Sequence, residues 1–173
     1  MYFEKLKKSP TSGEYNEKHF GNVDANPLWI KFHPDEEIGW IGSFENGGFK
    51  LVNEKILESE TKPQIAILTN GAFYLVNYSS KELVFHPEDN YFIDFEINNE
   101  SNQIFLATFW GIYVYEENKL MKEIRPEFID GIRFKEMINE ILYGEIYEPG
   151  LDWSKFELNT KTLVLKWGIY EFK

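Results

Sequence analysis

Tyr91-Phe92-Ile93-Asp94-Phe95-Glu96-Ile97-Asn98, a polar turn at residues 99–102, and then Ile104-Phe105-Leu106-Ala107-Thr108-Phe109-Trp110-Gly111-Ile112-Tyr113-Val114-Tyr115 read as strand, turn, strand, glycine turn, strand. Residues 28–53 can be laid on residues 91–116 without a gap, at a shift of 63. Trp29 then meets Phe92, Ile30 meets Ile93, Phe32 meets Phe95, Ile41 meets Ile104 and Gly48 meets Gly111. A later copy repeats Phe95-Glu96-Ile97-Asn98 as Phe156-Glu157-Leu158-Asn159 at a shift of 61, and Trp110-Gly111-Ile112-Tyr113 as Trp167-Gly168-Ile169-Tyr170 at a shift of 57. A turn four residues shorter accounts for the change of shift. Gly71-Ala72-Phe73-Tyr74-Leu75-Val76-Asn77 echoes Gly47-Gly48-Phe49-Lys50-Leu51-Val52-Asn53 as a partial copy. Asn70-Gly71 is the clearest hairpin signal in the chain, because both residues accept the positive φ of a two-residue turn. His33-Pro34-Asp35-Glu36 and residues 98–102 are read as the polar turns between the first two strands of their copies.

Repetition of this kind predicts an all-β protein of antiparallel meander repeats. Composition agrees: 15 Phe, 10 Tyr and 5 Trp in 173 residues suit pleated surfaces, where large rings stack across strands. Residues 1–27 are expected to form an extended N-terminal arm, with residues 28–173 as a single β-repeat domain. One segment carries a competing signal. Phe134, Met137, Ile138, Ile141 and Leu142 have the spacing of an amphipathic helix, leaving a short helix near 134–143 as the alternative to two strands at 131–137 and 140–147. Two strands are preferred, because Ile132-Arg133-Phe134 repeats the pattern of Ile30-Lys31-Phe32.

The copy at residues 91–124 resembles a blade of the sensor-type β-propellers, and Phe32-His33-Pro34-Asp35 is similar to the strand-ending turn of WD-repeat blades. The resemblance implies a fold and no catalytic residues. At about 40 residues per blade, residues 28–173 hold fewer than four blades, and no copy carries a Trp-Asp pair. A small or partial propeller-like array and a rolled sandwich both satisfy the pattern, and in each the equivalent turns project from one rim.

Charge narrows the partners. Eighteen Lys and Arg against 29 Asp and Glu give a net charge of −11, which repels phosphate backbones and anionic lipid. Nucleic acid and membranes are therefore unexpected, and a basic protein is the electrostatically favoured partner. There is no cysteine, so no disulfide framework or thiolate site is available, and the N-terminal residues show no apolar secretory core. A cytoplasmic location is expected.

No catalytic centre is legible. The chain has no nucleophile elbow, phosphate loop or dinucleotide fingerprint. His19, His33 and His86 lack ligand spacing, so no metal and no cofactor are expected. Glu45, Asn46, Asn70, Phe109, Trp110 and Trp167 fall at turns and are the candidate partner-binding residues, whereas Trp29, Trp40 and Trp153 are expected in the core. A non-catalytic protein-binding module is the expected function, and a carbohydrate-binding protein or small hydrolase using rim aromatics and carboxylates is the alternative. In size, acidity and lack of cofactor motifs the chain also resembles bacterial immunity-type proteins, which neutralise a cognate toxin.

Overall fold

The computed structural model describes residues 2–11, 13–22, 26–33, 39–49, 54–168 and 170–172, with the backbone alone for residues 2 and 170–172. Pro34, Asp35 and Glu36 of the first polar turn, and Lys50, Leu51, Val52 and Asn53 of the strand expected to close the first copy, lie outside them. The described residues form seventeen strands and no helix, so the protein is all-β as its sequence predicts. They gather into four successive sheets. Contacts divide the chain into two compact units, Met1–Tyr91 and Phe92–Lys173.

In the first unit, β1 (Tyr2–Leu6), β2 (Asn16–Phe20), β3 (Leu28–His33) and β4 (Trp40–Phe44) make a sheet in the order β1-β3-β4-β2. Residues 1–27 thus contribute two strands to this sheet. β1 pairs antiparallel with β3, and β2 pairs parallel with β4. The second sheet is a meander of β5 (Lys55–Glu58), β6 (Gln64–Thr69), β7 (Ala72–Asn77) and β8 (Glu82–Phe85). Alternate residues of β3 are buried, and Ile30 and Phe32 join Trp40, Phe44, Ile65, Ile67 and Tyr74 in a core between the two sheets. Rings dominate it: Phe32 stacks on Trp40 at 4.3 Å, and Phe44 meets Tyr74 edge-on at 5.5 Å.

The second unit begins with β9 (Asp94–Asn98), β10 (Gln103–Ala107), β11 (Ile112–Glu116) and β12 (Lys119–Ile124), again a meander. It ends with β13 (Ile132–Ile138), β14 (Ile141–Tyr147), β15 (Trp153–Asn159), β16 (Val164–Trp167) and β17 (Tyr170–Phe172) in sequential order. Phe105, Ala107, Ile112 and Val114 pack on Phe134, Leu142, Ile146, Phe156, Leu158 and Trp167.

Turn chemistry explains the regular connections. Asn70 (φ 47°) and Gly71 (φ 100°) form the expected two-residue turn, with Thr69 opposite Ala72. Asn77, Asn98 and Asn159 each end a strand, and each side-chain oxygen accepts from the N–H groups two and three residues on, at 2.8–3.2 Å. Lys81, Asn102 and Leu163, four residues after those asparagines, all have φ between 54° and 60°. One turn type is therefore used three times.

Where helix and strand readings competed, the structure has strands. A bulge between Phe134 and Glu136 adds a residue to β13, so Phe134 and Met137, three apart, both pack towards the core. That extra residue produced the helix-like spacing. Ile138 and Ile141 then pair directly across the Asn139-Glu140 turn.

Candidate functional site

The candidate residues from the first unit are tied into a hydrogen-bonded knot. Asn46 Oδ1 accepts from Thr69 Oγ1 and from Asn70 Nδ2 (2.9 Å), and its Nδ2 donates to the Asn26 carbonyl at 2.6 Å. The backbone joins in: Gly47 N–H donates to Thr69 O at 3.1 Å and Phe49 N–H to Asn70 O at 2.8 Å. Glu45 accepts from the Asn22 N–H at 2.7 Å, and its carbonyl accepts from the Tyr74 hydroxyl at 3.0 Å. Burial, and then the nearby Glu45 charge, push the Tyr74 pKa well above that of a free phenol. These polar groups are largely committed to holding residues 45–49 against the β6–β7 turn.

The second unit separates its candidates. Trp110 stands on the turn between β10 and β11 and is 39% exposed, beside half-buried Phe109. Thr108 pins that turn: its N–H and hydroxyl both donate to Gly111 O, at 2.8 and 3.1 Å, and its oxygen accepts from the Trp110 N–H at 3.3 Å. Trp167 is instead a core residue, 4% exposed, whose indole N–H donates to Glu148 at 3.1 Å. Register gives the reason. Asn98 opposes Gln103 as Asn159 opposes Val164, so Trp167 occupies the place of Leu106 and the four missing residues are those that build the β10–β11 turn.

Three further apolar residues are exposed on or beside two adjoining loops of this unit. The loop of residues 125–131 lies along the end of β14, with Asp130 N–H donating to Tyr147 O and Tyr147 N–H to Gly131 O, both at 2.9 Å. Phe128 at its tip is 85% exposed, with φ at 61°, a conformation costly for a bulky side chain. On the adjoining β14–β15 loop, Leu151 is 71% exposed. Trp153, expected in the core, is 37% exposed and lies under Arg133, whose guanidinium is 4.1 Å from the ring centroid, with Tyr147 at 5.5 Å. Arg133 is held by Glu145, which also pairs with Lys135 at 3.2 Å. The hydrogen bond from Arg133, with that from Lys135 aiding against desolvation, keeps the Glu145 carboxyl below the usual carboxylate range.

The two loops read Pro126-Glu127-Phe128-Ile129-Asp130 and Glu148-Pro149-Gly150-Leu151-Asp152. Four acids flank Phe128 and Leu151 in the sequence of these loops; Glu127, Asp130 and Asp152 are exposed, whereas Glu148 is half-buried against the Trp167 indole. The signal in the sequence was a large apolar residue inside a Pro- or Gly-marked turn, outside any strand period.

The parallel pairing of β2 with β4 creates one arrangement that spacing does not show. His19 Nδ1 is 2.6 Å from Ser43 Oγ, and Glu17 is 4.0 Å from His19 Nε2. Although the residue types match a hydrolytic triad, Ser43 is 2% exposed, which closes its hydroxyl to an acyl substrate. His86 stacks on Tyr74 at 4.5 Å and bonds to Phe73 O at 2.7 Å. Among the described residues no group of three His, Asp or Glu side chains is placed to hold a metal ion, and no helix is long and apolar enough to cross a membrane.

No protein-family model matches the chain. A search of curated proteins likewise finds no match.

Proposed function

We propose that the protein is a non-catalytic protein-binding module, which engages a basic partner through the exposed end of its second unit. The observation that carries this reading is the pair Phe128 and Leu151, 85% and 71% exposed on adjoining loops and flanked in sequence by Glu127, Asp130, Glu148 and Asp152. Exposed apolar groups beside Trp153, Tyr147 and Arg133 supply the residue types that dominate binding hot spots. These carboxylates, in a chain of net charge −11, favour encounter with a positive surface. Trp110 on its pinned turn is a further exposed aromatic of this unit.

A concrete form of this reading is a cytoplasmic immunity-type protein that masks a basic toxin, with its four sheets arranged as propeller-like blades. Acidity, small size and a preformed docking edge support it. The alternative of sugar binding through rim aromatics is weaker at Trp153, where Arg133 covers a ring face that a sugar would need.

The test uses wild-type protein and the exposed-site variant Phe128→Asp/Leu151→Asp as parallel baits for the products of adjacent genes. A basic protein retained by wild type at low salt, and lost by the variant, is the expected result. Equal retention by both baits removes the rim from the interface. A saturable change in tryptophan emission on titration with glycans, without protein capture, would move the assignment to carbohydrate binding.

A further inference from the structure

The first unit contains an open cleft of about 490 Å³, whose lining includes Lys5, Lys7, Lys8 and Glu54 together with Leu6, Trp29 and Asn46. Its construction follows from the strand register. Leu6, the last residue of β1, lies opposite Trp29 of β3, and the chain then continues through two lysines past the end of the sheet. Lys5 is neutralised by an ion pair with Glu54. Lys7 and Lys8 are exposed and have no ion pair among the described residues. Asn46 is locked by the hydrogen bonds it makes to Asn26, Thr69 and Asn70, so that part of the wall is preformed.

Three lysines in four positions are notable in a protein of net charge −11. Elsewhere the acidic surface repels anions, while the Lys7 and Lys8 ammonium groups, without an ion pair among the described residues, attract them locally. The volume lies within the roughly 300–1,000 Å³ of small-molecule sites. Lysine supplies point charges for an acid group, and the adjoining Leu6 and Trp29 supply a surface for a flat apolar body.

We infer that this cleft binds a small organic anion, with its phosphate or carboxylate held by Lys7 and Lys8 and its apolar ring laid against Leu6 and Trp29. The site is built from residues of the first unit alone, and the inference does not depend on the proposed protein-binding rim.

Amide and indole NMR spectra of the full chain, titrated with phenyl phosphate, benzoate and inorganic phosphate, test the inference. Saturable shifts are expected at residues 6–9 and at the Trp29 indole with either aromatic acid, and the two acids together show which head group is preferred. Inorganic phosphate should bind at least ten-fold more weakly, because it lacks the apolar body. Lys7→Glu/Lys8→Glu, at two exposed positions, should weaken the aromatic acids at least ten-fold while leaving the dispersed β spectrum intact. Three results would overturn the assignment: no saturable shift with either acid, affinity unchanged in the lysine variant, or inorganic phosphate binding as tightly as phenyl phosphate.

Discussion

Trp110-Gly111 and Trp167-Gly168 are the same dipeptide in two copies of one repeat, yet one tryptophan is 39% exposed and the other 4%. Trp110 stands on a four-residue turn, whereas Trp167 has been drawn onto the end of β16 by the loss of that turn. The two glycines differ as well. A Cβ on Gly111 would stand 2.7 Å from the Ile124 carbonyl, so this position is limited by space. A Cβ on Gly168 would meet nothing within 4 Å, but φ there is 54°, so this position is limited by backbone conformation. Turn length, more than residue identity, decides whether an aromatic in this repeat serves the core or the surface.

That contrast is most easily broken at the tryptophans. Trp167→Ala should lower unfolding stability by about 3–5 kcal/mol, the usual cost of emptying a large buried site, and Trp110→Ala by less than half as much in the same denaturant titration. Equal losses would make the two environments alike. Next in size, Gly111→Ala should cost about 1–3 kcal/mol, because a backbone carbonyl must move. Gly168→Ala should cost about 1 kcal/mol through its left-handed φ, and Gly168→Asn should recover most of that, since asparagine tolerates this conformation; asparagine at position 111 should give no recovery. The smallest change has the opposite sign. Phe128→Gly relieves a strained φ worth about 1–2 kcal/mol against about 0.5–1 kcal/mol of added chain entropy, so a slightly higher midpoint is expected, together with weaker retention of the basic partner.

Much of the fold was legible because its signals are local. Asn70-Gly71 specifies its hairpin by itself, and the apolar run from Ile104 to Tyr115, interrupted by the turn at 108–111, matches strands with no exposed residue in β10 or in residues 112–115 of β11. The strands at 131–147 were legible only by analogy, since the bulge at Lys135 gave their apolar residues a helical spacing. β2 was illegible: Asn16-Glu17-Lys18-His19-Phe20 is almost wholly polar, and its partner β4 begins 20 residues after it ends and runs parallel. For the site, Trp110 was found through its glycine turn. Phe128 and Leu151 were missed because a search for repeated positions overlooks residues that belong to no repeat. Trp153 was assigned to the core because strand position alone does not tell which face of a sheet lies open.

Both edges of the first sheet are supplied by the same N-terminal stretch of chain. β1 and β2 occupy the two opposite edges, and Tyr15, just ahead of β2, accepts a 2.9 Å hydrogen bond from Lys31 of β3. One proteolytic cut at the exposed Gly21-Asn22 step, followed by loss of the released peptide, would strip both margins together. β3 and β4 would stay packed on the second sheet but with both outer edges unpaired, and such open edges recruit other chains. Resistance to clumping therefore rests on the first twenty residues staying attached.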